Sequence, residues 1–288
     1  MAKLGVITDG ISRDFEHALQ VMTDAGLEYA ELQYLWEKEV GDLNDDEMAR
    51  AQALIEKFGV KVSCISRHNF VGMGIGDVEV GDENHQKHMD STKRCIDMAK
   101  ALECSLVRIM SFRKEMILFG SNGAEVWNSN NTAWDKLKTL LKPVVQMAED
   151  EGITLVVETG NNAMITSCVL GRKLIDELDT KNLKILWDPA NSLYCNEPAF
   201  PEGYDALRGG YLGHLHIKDS NVNIPLASVQ QTAVGEGEMA PYFEDMARSL
   251  KEDGFEGVVS LESVYHPGNG SFEDGFQASI GRFKSLFG

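Results

Sequence analysis

Short runs of β-branched and aliphatic residues alternate with segments of helical spacing along the whole chain, and the alternation recurs eight times. KLGVIT (Lys3 to Thr8) precedes a helical stretch from Ser12 to Ala25, in which Phe15, Leu19 and Met22 share one face. Tyr29 to Leu32 forms a second short strand. Asn44-Asp45-Asp46-Glu47 then supplies a cap and an acidic first turn to the helix carrying Leu54, Ile55 and Phe58. Val60 to Ile65 and Leu106 to Met110 are the third and fourth strands, followed by helices at Asp90 to Leu102 and Ala133 to Glu149. ITLVVE (Ile153 to Glu158), LKILWD (Leu183 to Asp188), YLGHLHI (Tyr211 to Ile217) and GVVSLE (Gly257 to Glu262) complete the strands. Their helices are expected near Leu170 to Leu178, Tyr204 to Arg208, Tyr242 to Leu250 and Gly275 to Leu286.

Eight such units without a Pro/Ser linker or a break in composition predict an α/β chain folded as a single (β/α)8 TIM barrel, one domain spanning residues 1–288. A doubly wound sheet is the alternative, since one miscounted strand would open the barrel. In a barrel the loops after strands build the catalytic face and run long. Ser66 to Glu83, Phe112 to Thr132, Ser220 to Ala240 and Ser263 to Phe272 all follow strands, whereas Glu151-Gly152 and Lys181-Asn182 are tight returns after helices. Gly72 to Gly76 in the first of these loops has the composition of a lid, and Met116 to Phe119 in the second that of a lid or an oligomer interface.

The charge balance, 27 Lys+Arg against 45 Asp+Glu for a net of −18, argues against nucleic-acid binding, which depends on basic surface releasing counterions. No stretch reaches the roughly 18 uninterrupted apolar residues of a membrane helix, and MAKLGVITDGISRDF has no secretory apolar run, so a cytoplasmic location is expected. Cys64, Cys95, Cys104, Cys168 and Cys195 are odd in number and widely spaced, which fits buried thiols better than disulfides or a zinc ribbon.

Strands five to eight each end in a side chain able to bind a divalent cation: Glu158, Asp188, His216 and Glu262. Side chains alternate along a strand, so Glu158 shares a face with Val156, Asp188 with Leu186, His216 with His214, and Glu262 with Val258 and Ser260. Those companions suit a barrel interior, where charge is costly unless it is paired or bound to metal. Three carboxylates and one imidazole favour Mn²⁺, Mg²⁺ or Co²⁺ over Zn²⁺, and Mn²⁺ is the cofactor expected.

VVETGNN (Val156 to Asn162), LWDPAN (Leu186 to Asn191), GHLHIKDS (Gly213 to Ser220), VGEGEMAPYFEDM (Val234 to Met246) and GFEGVVSLES (Gly254 to Ser263) together resemble the xylose isomerase-like barrel superfamily. Ketose 3-epimerases, hydroxypyruvate isomerase, inosose dehydratase and endonuclease IV belong to it. The resemblance implies that Glu158, Asp188, His216 and Glu262 bind one divalent metal. It also implies that Glu158 and Glu262 act as catalytic base and acid, moving a proton through an enediolate of a ketose, keto-inositol or related polyhydroxy carbonyl compound. The sequence departs from the epimerase and endonuclease pattern at Asn191, where those branches carry a histidine. A dehydratase or lyase on the same substrate class is the second reading, and an endonuclease IV-like phosphodiesterase a remote third. The expected partner is a small sugar or polyol-derived substrate, with a homo-oligomer possible and no nucleic acid or membrane.

Further substrate-binding candidates are His68 past strand three, Arg108 in strand four, Asn161, Asn191 and Lys218. Lys218 has inward parity and could hold an anionic oxygen, or could simply pair with Asp219; Arg108 could bind an anion or close an interior salt bridge. His214 is expected as a hydrogen-bonded interior residue, His85 and His88 as solvated residues at the start of a polar helix, and His17 on a helix surface.

Overall fold

The structure is a computed structural model and describes residues 2–114 and 131–288. Eight parallel strands close into a barrel: β1 (Lys3–Ile7), β2 (Tyr29–Leu32), β3 (Lys61–Ile65), β4 (Leu106–Ile109), β5 (Thr154–Glu158), β6 (Leu183–Trp187), β7 (Leu212–Ile217) and β8 (Val258–Leu261). Neighbours in the sheet follow chain order, and β8 closes onto β1 through the register Lys3↔Val258 to Val6↔Leu261. Closure excludes the doubly wound alternative. The helices are α1 (Phe15–Asp24), α2 (Asp45–Phe58), α3 (Glu83–Ala101), α4 (Asn131–Glu151), α5 (Cys168–Leu178), α6 (Pro189–Tyr194), α7 (Phe243–Glu252) and α8 (Phe272–Phe287), with a further helical turn at Glu202–Asp205.

Local chemistry sets the helix ends. Asn44 and Glu47 form a reciprocal capping box at α2, and Ser271 with Asp274 repeats it at α8. Asp14 accepts from the His17 amide at α1, and Ser167 from that of Leu170 at α5. Gly59, at φ 66°, closes α2 in the left-handed conformation that a side chain would strain. At Gly275 an added Cβ would lie 1.7 Å from the Tyr265 carbonyl oxygen, so only glycine lets α8 pack on the loop after β8.

Packing groups the chain into two compact units. The first, Met1–Ile65 with Leu102–Cys104 and Leu215–Gly288, carries β1, β2, β3, most of β7 and β8, and buries Val6, Phe15, Leu19, Met22, Leu32, Phe243 and Phe283. The second, Ser66–Ala101 with Ser105–His214, carries β4, β5 and β6, and buries Ile109, Leu137, Leu141, Val157, Leu174 and Trp187. Fully burying one such side chain stabilises by roughly 1.5–3 kcal/mol, so the apolar strand runs supply the main driving force of each.

Three features depart from the sequence expectation. Helix α3 starts at Glu83, two turns ahead of Asp90, because the buried face of its first turns is His85 beside Met89, and the apolar run of Cys95, Ile96, Met98 and Ala99 comes only further on. His85 is accordingly buried, with Nε2 3.2 Å from the Leu140 carbonyl oxygen, and not solvated. His88 is half-buried, and its Nδ1 accepts from the Phe70 amide at 2.9 Å. The loop after β7 folds into an antiparallel hairpin, Asp219–Asn223 with Ser228–Thr232, built from residues of little apolar pattern. Gly72 to Gly76 is tied down: Arg113 donates from its amide to the Met73 carbonyl at 2.7 Å and accepts from the Ile75 amide at 2.8 Å. Met116 to Phe119 lie outside the described residues. No helix among the described residues is long and apolar enough to cross a membrane.

Candidate metal centre and active site

In the first unit the site begins with β7, where period-two alternation puts His214, His216 and Lys218 on one face. Ser260 pairs with His216 and Leu261 with Ile217; the Glu262 amide then donates to the Ile217 carbonyl at 2.9 Å, carrying the ladder one residue further. That register sets Glu262 beside Lys218, whose Nζ lies 3.0 Å from Glu262 Oε2. His216 is wholly buried, with Nε2 2.9 Å from Glu31 Oε1 and Nδ1 3.5 Å from Glu262 Oε2. Burial alone would push the His216 pKa down, but the Glu31 and Glu262 carboxylates prevail and raise it well above its ordinary value. Burial likewise pushes the Glu262 carboxyl up, and Lys218 with His216 outweighs it, holding the group well below the usual carboxylate range.

Asp219 does not pair with Lys218. Its carboxylate accepts from the amides of Ser220, Gly235, Gly237 and Met239, all at 2.9–3.0 Å, and so knots the VGEGEM segment against the end of β7. Gly237 is required there, since a Cβ would fall 2.3 Å from Asp219 Oδ1. With Asp219 satisfied by backbone donors, Lys218 turns to Glu262.

In the second unit, the β5–β6 register pairs Glu158 with Leu186, and Asp188 follows at the end of β6. The Asp188 amide donates to Thr159 Oγ1 at 3.2 Å, while Asp188 Oδ1 caps α6 by accepting from the Ala190 and Asn191 amides at 3.0 and 3.4 Å. The cap and Pro189 at the first helical position start α6 immediately after the strand, a helix too short to show in the sequence pattern. Asn191 Nδ2 donates to the Thr159 carbonyl at 2.7 Å and to Glu158 Oε1 at 3.5 Å. Arg108 Nη1 donates to Glu158 Oε2 at 3.0 Å, and Nη2 donates to the Ser66 carbonyl. Both members of this ion pair are buried, with side chains 3% and 8% exposed.

In the first unit Glu31 Oε1 engages His216 Nε2, which leaves Nδ1 as the ring nitrogen that faces Glu262. Carboxylates and an imidazole nitrogen suit a hard or borderline divalent cation; Glu158 and Asp188 stand at strand ends of the second unit, and His216 and Glu262 at strand ends of the first.

Of the further candidates, Arg108, Asn191 and Lys218 each touch one of these four side chains. His68 stands half-buried after β3. Asn161 is exposed after β5, its carbonyl accepting from the Cys195 thiol at 3.5 Å. Sequence reading missed Glu31. An acid at an interior position of the otherwise apolar YAEL strand is the signal that would have found it.

Comparison with known proteins places the fold. The family described as xylose isomerase-like TIM barrel matches residues 19–286. An uncharacterised protein of Methanocaldococcus jannaschii is 28% identical over 144 residues, covering 48% of this chain and 47% of that protein, so the match spans about half of the relative's length. The structure of an L-ribulose 3-epimerase superposes with a TM-score of 0.72 at 15% identity, covering 100% of this chain and 95% of that one. The probable 3-DHS dehydratase AsbF, involved in petrobactin synthesis in Bacillus anthracis, gives 0.73 at 13% identity, covering 98% of each chain.

Proposed function

Because the chain belongs to the xylose isomerase-like TIM barrel family, we propose that it is a divalent-metal-dependent isomerase or epimerase. Its substrate is a ketose, keto-inositol or related polyhydroxy carbonyl compound. The observation that carries this reading is a buried cation, Arg108 or Lys218, on each of two strand-end glutamates, Glu158 and Glu262, with Asp188 and His216 as further metal-competent side chains at strand ends. These four side chains would hold the metal, Mn²⁺ by preference, and the metal when bound polarises a substrate carbonyl and lowers the barrier to removing the neighbouring C–H proton.

The chain's own residues do the rest. Glu158 takes the proton, its two oxygens aimed by Arg108 and Asn191. Glu262 is ionised at rest beside Lys218 and His216, so it returns a proton to the substrate only after taking one from the Lys218 ammonium 3.0 Å from its carboxylate, while Glu158 keeps the proton it took. Asn191 does not titrate and takes no part in the proton traffic.

A dehydratase among the fold relatives supports a second reading, elimination from the same carbanion. It differs only in having a leaving group at the β-carbon of the substrate.

The test is solvent deuterium incorporation, read by mass, into a panel of ketoses, keto-inositols and 3-oxo-glycosides with Mn²⁺-reconstituted protein. Metal-dependent exchange that is lost in Glu158→Gln supports carbon-acid chemistry, and a mass loss of water moves the reading to elimination. No exchange across the panel with metal bound overturns the proposal.

A further inference from the structure

Within the second unit, at the opposite strand ends from Glu158 and Asp188, a cavity of about 370 Å³ opens between the end of α5, the start of β6 and the turn that leads into β7. Small-molecule sites span roughly 300–1,000 Å³. Lys184 is the second residue of β6 and Asp188 follows its last, so about 13 Å of strand separates them at about 3.3 Å per residue. Barrel chemistry belongs to the carboxyl ends of the strands, and the cavity is therefore distinct from the candidate active site.

Four donors in its lining have nothing to donate to. Among the described residues, the side chains of Lys181 and Lys184 make no hydrogen bond or ion pair, and the amides of Gly209 and Gly210 donate to no acceptor. Gly209 and Gly210 are both left-handed, at φ 89° and 97°. An added Cβ at Gly210 would meet nothing within 4 Å, so backbone conformation and not crowding calls for glycine there. Successive amides in such turns form concavities that bind anions. The stem of Lys184 is seated by a third glycine, since a Cβ on Gly213 would fall 2.9 Å from Lys184 Cβ.

Two carboxylates share the lining, yet neither pairs with these lysines. Asp176 is engaged by Tyr211, whose hydroxyl donates to its Oδ1 at 2.5 Å, and stands 3.9 Å from Arg172 Nε. The Arg172 guanidinium also covers the Tyr211 ring, 4.5 Å from its centroid. Asp179, the exposed cap residue of α5, makes no side-chain hydrogen bond or ion pair among the described residues.

We propose that this cavity binds the phosphate monoester of a small polyol or sugar, at a site separate from the catalytic one. The two ammonium groups and the two glycine amides take the phosphate oxygens, and two lysines match the double charge of a monoester. The Asp179 carboxylate accepts from hydroxyls of the remainder, and Asp176 with Asp179 opposes a second phosphate in the same ligand. A chain of net charge −18 repels anions at long range, so capture here depends on donors built into the cavity. The inference stands independently of the isomerase reading.

Calorimetric titrations of the full chain, metal-free and then Mn²⁺-saturated, use fructose 6-phosphate, inorganic phosphate and fructose. The metal-free chain is expected to bind fructose 6-phosphate more tightly than inorganic phosphate and to leave fructose unbound. Saturating Mn²⁺ and Glu158→Gln should each leave the affinity of this site unchanged. Lys181→Gln and Lys184→Met, the latter keeping the stem, should each weaken fructose 6-phosphate roughly tenfold, the equivalent of about 1.4 kcal/mol. Lys142→Gln removes an exposed charge elsewhere in the same unit and should change nothing. Any of four results overturns the site: no binding of either phosphate to the metal-free chain, unchanged affinity in both Lys181→Gln and Lys184→Met, an equal loss in Lys142→Gln, or tighter binding of inorganic phosphate than of fructose 6-phosphate.

Discussion

Glu31 Oε1 and His216 Nε2 stand 2.9 Å apart, and both side chains are wholly excluded from solvent. The carboxylate fixes which ring nitrogen is left to face Glu262 and makes the imidazole a stronger donor to a cation. Glu31→Gln keeps the size and one acceptor of the side chain but removes the charge. It is expected to weaken Mn²⁺ binding roughly 10- to 100-fold, the usual effect of losing such a supporting partner. Competition against a chelator of known affinity reads this directly. An unchanged dissociation constant would mean that Glu31 only fills space.

Arg108 and Glu158 form the buried pair of the other arc, 3.0 Å apart. Truncating one member of such a pair leaves an uncompensated charge and costs about 3–5 kcal/mol. Arg108→Leu in the metal-free chain should lose stability on that scale in urea denaturation. Because a divalent cation at Glu158 offsets the missing guanidinium, saturating Mn²⁺ should recover more stability in the variant than in the native chain. Equal metal stabilisation of both would separate Glu158 from the metal site.

How far the sequence reveals this site depends on which signal each residue leaves. Strand-end candidates are legible because period-two alternation and apolar companions define an inward face, and Glu158, Asp188, His216 and Glu262 were all picked out by it. Glu31 sits on the same kind of face but lies mid-strand, 185 residues from the histidine it orients, and nothing local announces the pairing. The partner of Lys218 was equally undecidable along the chain. Asp219 is adjacent in sequence yet is claimed by four backbone amides, three of them contributed from 16 to 20 residues away by a glycine-rich segment whose path is a tertiary fact. The start of helix α3 escaped for a compositional reason, since the buried face of its first turns carries a histidine, His85, ahead of Met89. The barrel itself was legible because most of the strand–helix units repeat one pattern.

Cys64, Cys95, Cys104, Cys168 and Cys195 are all buried and reduced. Burial pushes the Cys195 thiol up to about 11 and the Cys168 thiol higher still. The thiolate is the reactive species, so the native chain should give no fast reaction with a disulfide reagent at pH 7.5 and should titrate fully only in denaturant. A rapid native thiol at that pH would show that one of these cysteines is accessible and activated.

Lys114 is 2% exposed just past β4, and its Nζ has no hydrogen-bond partner among the described residues. Its amide donates to the Asn162 carbonyl at 3.2 Å, so the backbone is anchored and the ammonium cannot easily escape to water. Burial lowers the Lys114 pKa, outweighing Cys195 and Glu197, which raise it. The sign follows from proton counting. Below the folded pKa both states carry the proton and the chain bears the full cost of burying the charge. As pH rises from the folded pKa toward the unfolded value near 10.4, the folded amine is already neutral and the cost fades, so this group makes stability rise with pH. Lys114→Met removes the cost at every pH. It should be more stable than the native chain at pH 7 by about 1–3 kcal/mol, the scale of an unsatisfied buried polar group, and the margin should shrink toward pH 10. Paired urea melts at pH 7 and pH 9.5 measure both numbers. A destabilised methionine variant at pH 7, or a margin that grows with pH, would show that the ammonium is satisfied in the folded chain.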